Sequence, residues 1–343
     1  MTADSRTLTV RLDALEANVR RYNASAAGLI ARVDHDGFGH GLVPVARAAV
    51  EAGAAQLAVA DFDEAIVLRD AGITAPLLAL RPIGPDVAGL EVHAAVSTPE
   101  EARTAAGHGA SGAHVVIDCG SARRGISPDD RVSFDAVADA VPVTGIMGVA
   151  GAGTAHDEAS AALEASRALA PSAPAHLHGT RGVLAGFGHG DDYVRVGRGL
   201  YGIPLPDGTA TGTPVARLTG RVVTVKAIRA GEGVSYGYIY RAPSDGRIAL
   251  VTGGYADGVP RSVGNHAFVL VDGTLARMIG RVAMDVVVID LGQARARAGD
   301  EVVFLGDPAK GEPGVTDWAQ VAKYDPVDIA ASIGPRVARS YTR

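Results

Sequence analysis

The sequence predicts an α/β protein, a (β/α)8 barrel followed by a mostly antiparallel β domain. Three observations support this prediction. Between residues 29 and 197, short continuous apolar runs alternate with amphipathic stretches, and continuous runs are typical of strands buried on both faces. From about residue 213, β-rich segments are separated by Gly, Asp and Pro, which is typical of antiparallel sheets. The intervening segment 203–214 is rich in Pro, Gly and Thr, so we expect the boundary there.

Eight apolar runs are the candidate barrel strands. They are LIARV (29–33), QLAVAD (56–61), PLLALR (76–81), EVHAAV (91–96), HVVIDCG (114–120), TGIMGVA (144–150), AHLHG (175–179) and YVRVG (193–197). Helical patterns lie between them, as at 41–53 and 97–106, where the second stretch opens with Ser97, Pro99 and acidic residues, a helix-start signal. The apolar stripe of the first stretch is Val43, Ala46, Ala49 and Val50. Eight strand–helix units favour a closed barrel, and an open doubly wound sheet is the alternative.

The chain is expected to divide into three parts. Residues 1–12 contain the strand-like TLTVRLDA start and are predicted to join the β domain, 13–212 form the barrel, and 213–343 form the C-terminal β domain. Five segments beyond residue 213 have the composition of strands. They are RLTGRVVTVKAI, RIALVTGGY, AFVLVDG, LARMIGRVAMDVVVIDL and DEVVFLG.

Composition excludes several functional classes. Of the 343 residues, 47% are hydrophobic and 20% charged, as in ordinary globular proteins. The net charge of −6 argues against nucleic-acid binding. No apolar run is long enough to cross a bilayer, and the N-terminus shows no secretory pattern, so we expect a cytoplasmic protein that acts on a small molecule. The single cysteine, Cys119, excludes a disulfide framework and a cysteine-rich zinc site.

The distribution of lysine limits the chemistry of the barrel. The chain has three lysines, Lys226, Lys310 and Lys323, so residues 1–225 contain none. A lysine amine is the group that forms a Schiff base with a carbonyl. No residue of the predicted barrel can therefore form one.

Several motifs resemble bacterial alanine racemase, and the resemblance covers nearly the whole chain. They are RLDALEANVRRY (11–22), GFGHGLVPVARAAVEAG (37–53), VRVGRGLYG (194–202), VSYGYIY (234–240), GGYADGVPR (253–261) and GRVAMD (280–285). The resemblance implies the alanine racemase-like form of the predicted fold, in which a barrel binds pyridoxal phosphate (PLP) and a β domain follows. It also implies a homodimer in which Tyr236 reaches into the partner's barrel as a catalytic residue.

The cofactor positions of the family are where this chain departs from it. The resemblance places the family's aldimine-forming lysine at Asp34, seven residues before Gly41. Three further losses follow from it: a phosphate-binding tyrosine falls at Phe38, a late phosphate-binding tyrosine at Pro335, and a carbamylated lysine at Val116. A family histidine falls near Ala152. A carboxylate cannot form an imine, so the resemblance implies that no covalent PLP is held here.

Other family positions are retained. The resemblance implies that His176 tunes Tyr236, that Arg195 binds the pyridine nitrogen and that Arg123 lies near the substrate carboxylate. Positions implied at the substrate entrance are Tyr255, Met284 and Asp285. A small polar nest for PLP or another phosphate, if one binds, would consist of Thr180, Gly197 and Arg198 beside Arg195.

New polar residues accompany the losses. Asp34 is followed by His35 at the end of the first barrel strand, and His176 and His178 are two residues apart on one predicted strand, so they should share a face. If that face is the barrel interior, Asp34 and both histidines converge. Such a trio carries general acid–base chemistry or binds a divalent metal, or His178 only bonds a neighbour. We prefer the first interpretation, with no metal, and assign His178 to substrate binding.

The predicted function is acid–base catalysis on a small metabolite in specialised biosynthesis, by isomerisation, cyclisation or elimination. Tyr236 of the partner is one proton-transfer group, and Asp34, with His35 or His176, is the other. One alternative is a protein that holds PLP non-covalently through Arg195. Another is a non-catalytic binding or regulatory protein.

Overall fold

The computed structural model describes residues 6–151 and 155–343, and the chain forms two compact units. The barrel unit is Leu15–Leu200. The β unit consists of the chain up to Ala14 together with Tyr201–Arg343. Its start at Tyr201 differs from the predicted boundary at 213, because the Pro- and Gly-rich segment folds back on the following strand: the Tyr201 carbonyl accepts a hydrogen bond from the Val215 N–H at 3.2 Å.

The barrel unit contains an eight-stranded parallel sheet, which confirms the predicted barrel. Its strands are β2 (Leu29–Arg32), β3 (Gln56–Val59), β4 (Leu77–Ala79), β5 (Val92–Val96), β6 (Gly112–Asp118), β7 (Val143–Val149), β8 (Ala175–His176) and β9 (Val194–Val196), in the spatial order β8-β7-β6-β5-β4-β3-β2-β9. The two ends of this series meet, because Asp192 N–H donates to the Ala175 carbonyl and Arg195 N–H to the His178 carbonyl, both at 2.9 Å. Closure excludes the open-sheet alternative.

One helix, α1 (Leu12–Asn23), precedes these strands, and helices follow most of them. The helices that follow are α2 (Asp34–Phe38), α3 (Leu42–Glu51), α4 (Phe62–Asp70), α5 (Pro99–Gly107), α6 (Arg131–Ala138), α7 (His156–Ser166) and α8 (Thr180–Leu184). The start signal at α5 is correct to one residue, since Thr98 rather than Ser97 caps the helix by accepting the Glu101 N–H. The predicted stripe of α3 is shifted: Val43 and Val50 are half-buried, and the fully buried residues are Leu42, Val45, Ala46, Ala48 and Ala49.

The β unit contains a second eight-stranded sheet, which is mostly antiparallel as predicted. Its strands are β1 (Arg6–Arg11), β10 (Ala216–Ile228), β13 (Gly246–Thr252), β14 (Phe268–Val271), β15 (Thr274–Ile279), β16 (Val286–Asp290), β17 (Glu301–Leu305) and β18 (Ala338–Thr342); a small pair, β11 (Gly233–Val234) and β12 (Tyr240–Arg241), lies apart. The first strand, β1, pairs antiparallel with β10 and parallel with β18. Two helices complete the unit, α9 (Val315–Ala322) and α10 (Pro326–Ala331).

Among the described residues, no helix is long and apolar enough to cross a membrane.

Candidate active site

A buried carboxylate lies at the carboxyl end of the first barrel strand. Asp34 lies two residues after the end of β2 and is 1% exposed. Both of its oxygens are bound by Arg32, with Nε at 2.9 Å from Oδ1 and Nη2 at 2.6 Å from Oδ2. Arg32 is the last residue of β2 and Asp34 is the first residue of α2, so the contact is made across the end of the strand. The pairing offsets the cost of burying the Asp34 charge.

The backbone after Asp34 makes a left-handed turn. His35, Asp36, Gly37 and Phe38 all have positive φ, at 55°, 55°, 61° and 55°. Such a conformation costs about 1–2 kcal/mol for each non-glycine residue. Bonds from outside the turn hold it: the Asp36 N–H donates to Glu64 Oε1 and the Leu42 N–H to Asp36 Oδ1, both at 2.8 Å. Strain of this kind is concentrated at functional sites.

This turn determines where the side chains of His35 and Phe38 lie. The His35 side chain is 69% exposed and its Nε2 is 3.8 Å from Asp34 Oδ2. Phe38 turns back onto the sheet, where the Arg32 guanidinium carbon lies 5.6 Å from its ring centre. The ring also closes on Gly197 beyond β9, since a Cβ added there would lie 2.8 Å from Phe38 Cζ. The Phe38 ring thus lies against the ends of both the first and the last strand of the barrel.

A chain of three side chains crosses the barrel beside this pair. Arg195 Nη1 is 2.5 Å from His176 Nδ1, and His176 Nε2 is 2.9 Å from His114 Nδ1. Because a guanidinium only donates, His176 must accept at Nδ1, so its proton is on Nε2 and is donated to His114. Hydrogen bonds are therefore donated in one direction, from Arg195 to His176 and from His176 to His114.

Burial keeps these histidines neutral. Burial, together with the nearby His93 and Arg195, lowers the pKa of His114 to about 3. It also lowers the pKa of His176 well below its usual range, with Arg195 as the second cause. Burial and the charge of Arg32 lower the pKa of Arg195, the charges of Asp191 and Asp34 oppose them, and the resulting pKa is about 10. The Arg32–Asp34 pair and Arg195 therefore act on one another electrostatically.

The residues of the predicted phosphate nest lie close to this chain. Thr180 is the first residue of α8, and its hydroxyl accepts the Gly199 N–H at 3.1 Å. Gly197 is covered by the Phe38 ring. Arg198 is half-buried. The Ala152 position lies outside the described residues.

The predicted convergence of Asp34, His176 and His178 is wrong. It depended on a strand that continued to residue 178, but β8 ends at His176. The His178 ring is bound by Asp191 instead, with Nδ1 at 3.1 Å from Oδ2. Within the described parts of the chain, no three His, Cys, Asp or Glu side chains are grouped as a metal site would require.

Two adjacent arginines differ in placement. Arg123 is exposed, whereas Arg124 extends into the end of the sheet, donating from Nη1 to the Leu80 carbonyl and from Nη2 to the Ala95 carbonyl, each at 2.7 Å. Arg124 also pairs with Glu101 at 3.1 Å. Its guanidinium binds the carbonyl ends of the neighbouring barrel strands.

The β unit brings the predicted entrance residues together. The Tyr255 N–H donates to the Ala283 carbonyl at 3.0 Å, one residue before Met284 and two before Asp285. The chain passes so close at Gly254 that a Cβ there would lie 2.5 Å from the Asp285 nitrogen. Tyr255 is 41% exposed and Met284 54%.

Tyr236 belongs to the same unit and is 71% exposed. It lies in a turn between β11 and β12, where Ser235, with φ of 58°, and Gly237, with φ of 73°, flank it. The Ser235 hydroxyl fixes this turn by donating to the Arg281 carbonyl at 2.8 Å. The structure therefore presents the tyrosine ring to solvent from a constrained turn.

Sequence reasoning missed Arg32, Arg124 and His114. Arg32 had a visible signal, because it is a charged residue inside the apolar run LIARV, two positions before Asp34. His114 could have been found in the same way, two residues before Val116 on a buried strand. For Arg124, the pair of adjacent arginines does not indicate which one turns inward.

Comparison with known proteins agrees with this architecture. The family model described as "Alanine racemase, N-terminal domain" matches residues 10–204, and "Alanine racemase, C-terminal domain" matches 215–341. The chain belongs to the alanine racemase family. Among curated relatives, alanine racemase of Mycobacterium tuberculosis is 37% identical, over 97% of this chain and 94% of the relative. Alanine racemase of Beutenbergia cavernae is 38% identical, over 96% of each.

Solved alanine racemases have the same fold. The enzyme from D-cycloserine-producing Streptomyces lavendulae superposes with a TM-score of 0.88 at 36% identity, over 99% of this chain and 97% of that one. The enzyme from Streptomyces coelicolor A3(2) superposes with a TM-score of 0.85 at 31% identity, over the full length of both.

Proposed function

We propose that this member of the alanine racemase family transfers protons on a small metabolite without a lysine-bound PLP, as an isomerase or lyase. The observation that carries the proposal is the buried Arg32–Asp34 pair at the end of β2. The family resemblance assigns the aldimine-forming lysine to position 34. A paired carboxylate at that position accepts a proton but cannot form an imine.

Covalent PLP does not fit the residues of the barrel unit. When bound, PLP supplies an electron sink for carbanions, and a racemase from Bartonella henselae was solved with the cofactor covalently bound. Here all three lysines, Lys226, Lys310 and Lys323, belong to the β unit. Phe38 also places a ring without a hydroxyl against Gly197. We therefore derive no step through PLP.

The residues near Asp34 suit proton transfer at an anionic or acidic carbon. Arg32 fixes both Asp34 oxygens, so the base has a defined orientation. The Arg195 guanidinium is held by His176 at 2.5 Å and by the Gly148 carbonyl at 3.4 Å. A fixed positive charge stabilises negative charge that develops on a substrate, and it needs no reorganisation during the reaction.

The opposing proton-transfer group is proposed to be Tyr236 from the partner of a homodimer. This assignment rests on the family resemblance and on the exposure of Tyr236 at 71% in a constrained turn. We also propose that the entrance residues Tyr255, Met284 and Asp285 bind the substrate in this dimer. His35, exposed beside Asp34, is positioned to exchange protons with solvent.

A second candidate function keeps PLP without a covalent bond. Two observations favour it: Arg195 is retained, and the Thr180 hydroxyl and Gly199 N–H lie together near β9. Phe38 at Gly197 opposes it, because the ring supplies no donor to a phosphate.

The test is a cofactor experiment on the purified protein. We expect no aldimine absorbance band, no pyridoxyl adduct on residues 1–225 after borohydride reduction, and no alanine racemisation with added PLP. The Streptomyces lavendulae enzyme, treated identically, is the positive control. An adduct in the barrel unit, or racemisation comparable to the control, would overturn the proposal, and an aldimine band that dialysis removes would support the non-covalent candidate. Asp34→Lys alone should not restore racemisation.

A further inference from the structure

We propose that Ser160, His178 and Asp191 form a second reaction centre, a serine-nucleophile site between β8 and α7 that hydrolyses small acyl esters. The three residues come from α7, the segment after β8 and the segment before β9. None of them belongs to the Arg195–His176–His114 chain. The site is therefore separate from the proton-transfer function proposed above.

The Asp191 carboxylate orients the His178 ring. Its Oδ2 accepts the His178 and Leu177 backbone N–H groups at 2.8 Å and 2.9 Å. The same carboxylate lies 3.1 and 3.2 Å from His178 Nδ1. Burial alone would raise the pKa of Asp191, but these hydrogen bonds and the nearby imidazole lower it. A carboxylate only accepts, so the His178 proton is on Nδ1.

The other ring nitrogen of His178 then faces a serine hydroxyl as a proton acceptor. His178 Nε2 lies 3.5 Å from Ser160 Oγ. Nucleophile, base and orienting carboxylate are thus in the order that activates a serine. Separations between nucleophile and base are commonly longer without substrate and shorten when it binds.

The surroundings hold the base and leave space for a ligand. Phe187 stacks on the His178 ring, with centroids 5.6 Å apart and planes 19° apart. His156 in turn stacks on the Phe187 ring, with centroids 4.5 Å apart. A cavity beside the three residues is lined by Ser160, Leu163, His178, Phe187, Gly190 and Asp191. His178 is 5% exposed and Asp191 8%, so the base is shielded while the cavity reaches the serine.

The proposed reaction balances with water as the only co-reactant. Ser160 Oγ forms a bond to the acyl carbon while its proton passes to His178 Nε2. The ester C–O bond breaks, and His178 returns that proton to the leaving alkoxide. Water then attacks the acyl carbon, loses a proton to His178, and the acid leaves as Ser160 regains its proton.

The test is labelling of the full-length protein with a fluorophosphonate, located by peptide mass spectrometry, together with hydrolysis of p-nitrophenyl acetate. We expect the label on Ser160, and both signals should be lost in Ser160→Ala. His178→Asn should slow labelling about 100-fold or more, the usual scale of general-base assistance.

Ser166 supplies the matched control, because it lies on the same helix and its hydroxyl donates to the Leu163 carbonyl. Ser166→Ala should label and hydrolyse like the wild type. No label on Ser160, or a labelling rate that His178→Asn leaves unchanged in a protein with wild-type thermal unfolding, would overturn the proposal. If His178→Asn fails to fold, the comparison of Ser160→Ala with Ser166→Ala decides it.

Discussion

The two sides of the barrel mouth bury charge in different ways. At the end of β2, Asp34 is matched by Arg32, which binds both carboxylate oxygens. On β9, Arg195 has no carboxylate within hydrogen-bond distance among the described contacts; it donates to the ring of His176 on β8 and to the Gly148 carbonyl. On the Asp34 side, an ion pair neutralises the charge. On the Arg195 side, the guanidinium donates hydrogen bonds to neutral acceptors.

This difference indicates what each side can do in a reaction. The Asp34 side provides an oriented proton acceptor. The Arg195 side provides a positive charge that stays in place, because the histidine behind it is neutral and keeps one tautomer. Together they resemble a general base facing an anion-stabilising group, the arrangement that suits proton abstraction from carbon.

The largest expected effect is on turnover. In deuterium oxide, the protein should catalyse hydrogen–deuterium exchange at an acidic C–H of its substrate, sought by NMR across small amino and hydroxy acids. Asp34→Asn should slow that exchange by about 100- to 10,000-fold, the contribution of a general base. Asp36→Asn is the matched control, since Asp36 lies two residues away and its oxygen still accepts the Leu42 N–H. Equal rates in Asp34→Asn and wild type would remove Asp34 from the mechanism.

The second prediction concerns the cost of breaking the Arg32–Asp34 pair. Arg32→Leu leaves a carboxylate that is 1% exposed without its counter-charge, so the free energy of unfolding should fall by about 3 kcal/mol. Adding Asp34→Leu should recover most of this loss, since removing both buried charges is often neutral. Urea denaturation at pH 7 measures both.

An exposed pair provides the comparison for this loss. Arg20 is 60% exposed where it meets Glu16 at 3.0 Å, and Arg20→Leu should cost under about 1 kcal/mol. Similar losses in Arg20→Leu and Arg32→Leu would mean that Asp34 does not depend on its partner for burial.

Much of the fold follows from the sequence, because it depends on local patterns. Continuous apolar runs and a cluster of Gly, Pro and Thr predict the barrel and the β domain from their hydrophobic period and turn chemistry. The division at Tyr201 does not follow, because it depends on contacts between residues distant in sequence, such as the hydrogen bond from the Val215 N–H to the Tyr201 carbonyl.

Strand alternation alone did not predict the site. Arg32 and Asp34 meet although β2 ends at Arg32, because the guanidinium binds both carboxylate oxygens from the last residue of the strand. His176 and His178 do not converge, because β8 also ends between them and the His178 ring is bound by Asp191. The left-handed turn at His35–Phe38 could not be predicted either, since only one of those residues is a glycine and the bonds that hold it come from Glu64 and Leu42.

The third prediction concerns pH on the Arg195 side. Burial lowers the pKa of His114 to about 3, below its unfolded value of about 6.5. The unfolded chain therefore binds the extra proton first, and stability should fall as the pH decreases below 6.5. His114→Gln keeps an acceptor for His176 but does not titrate, so between pH 7 and pH 5 it should lose about 2 kcal/mol less than the wild type. If the urea midpoints of the two proteins change equally with pH across this range, the prediction of a neutral, buried His114 is wrong.

The smallest effect is expected where the two sides touch, at Gly197. An alanine Cβ there would lie 2.8 Å from Phe38 Cζ and 3.5 Å from Arg32 Cδ, so Gly197→Ala should cost about 1 kcal/mol by overpacking. Phe38→Leu removes the end of the ring, and the double variant should therefore be less destabilised than the sum of the single ones.

Gly107 is the matched control for this last change, because a Cβ at the end of α5 meets no atom within 4 Å. Gly107→Ala should leave the free energy of unfolding unchanged or raise it slightly. If Gly197→Ala behaves like Gly107→Ala, the phenyl ring does not close on β9, and space for a phosphate remains beside Thr180 and Arg198. Additive losses in the double variant would lead to the same conclusion. Either result would favour the non-covalent cofactor candidate over a site in which Phe38 has replaced the phosphate contact.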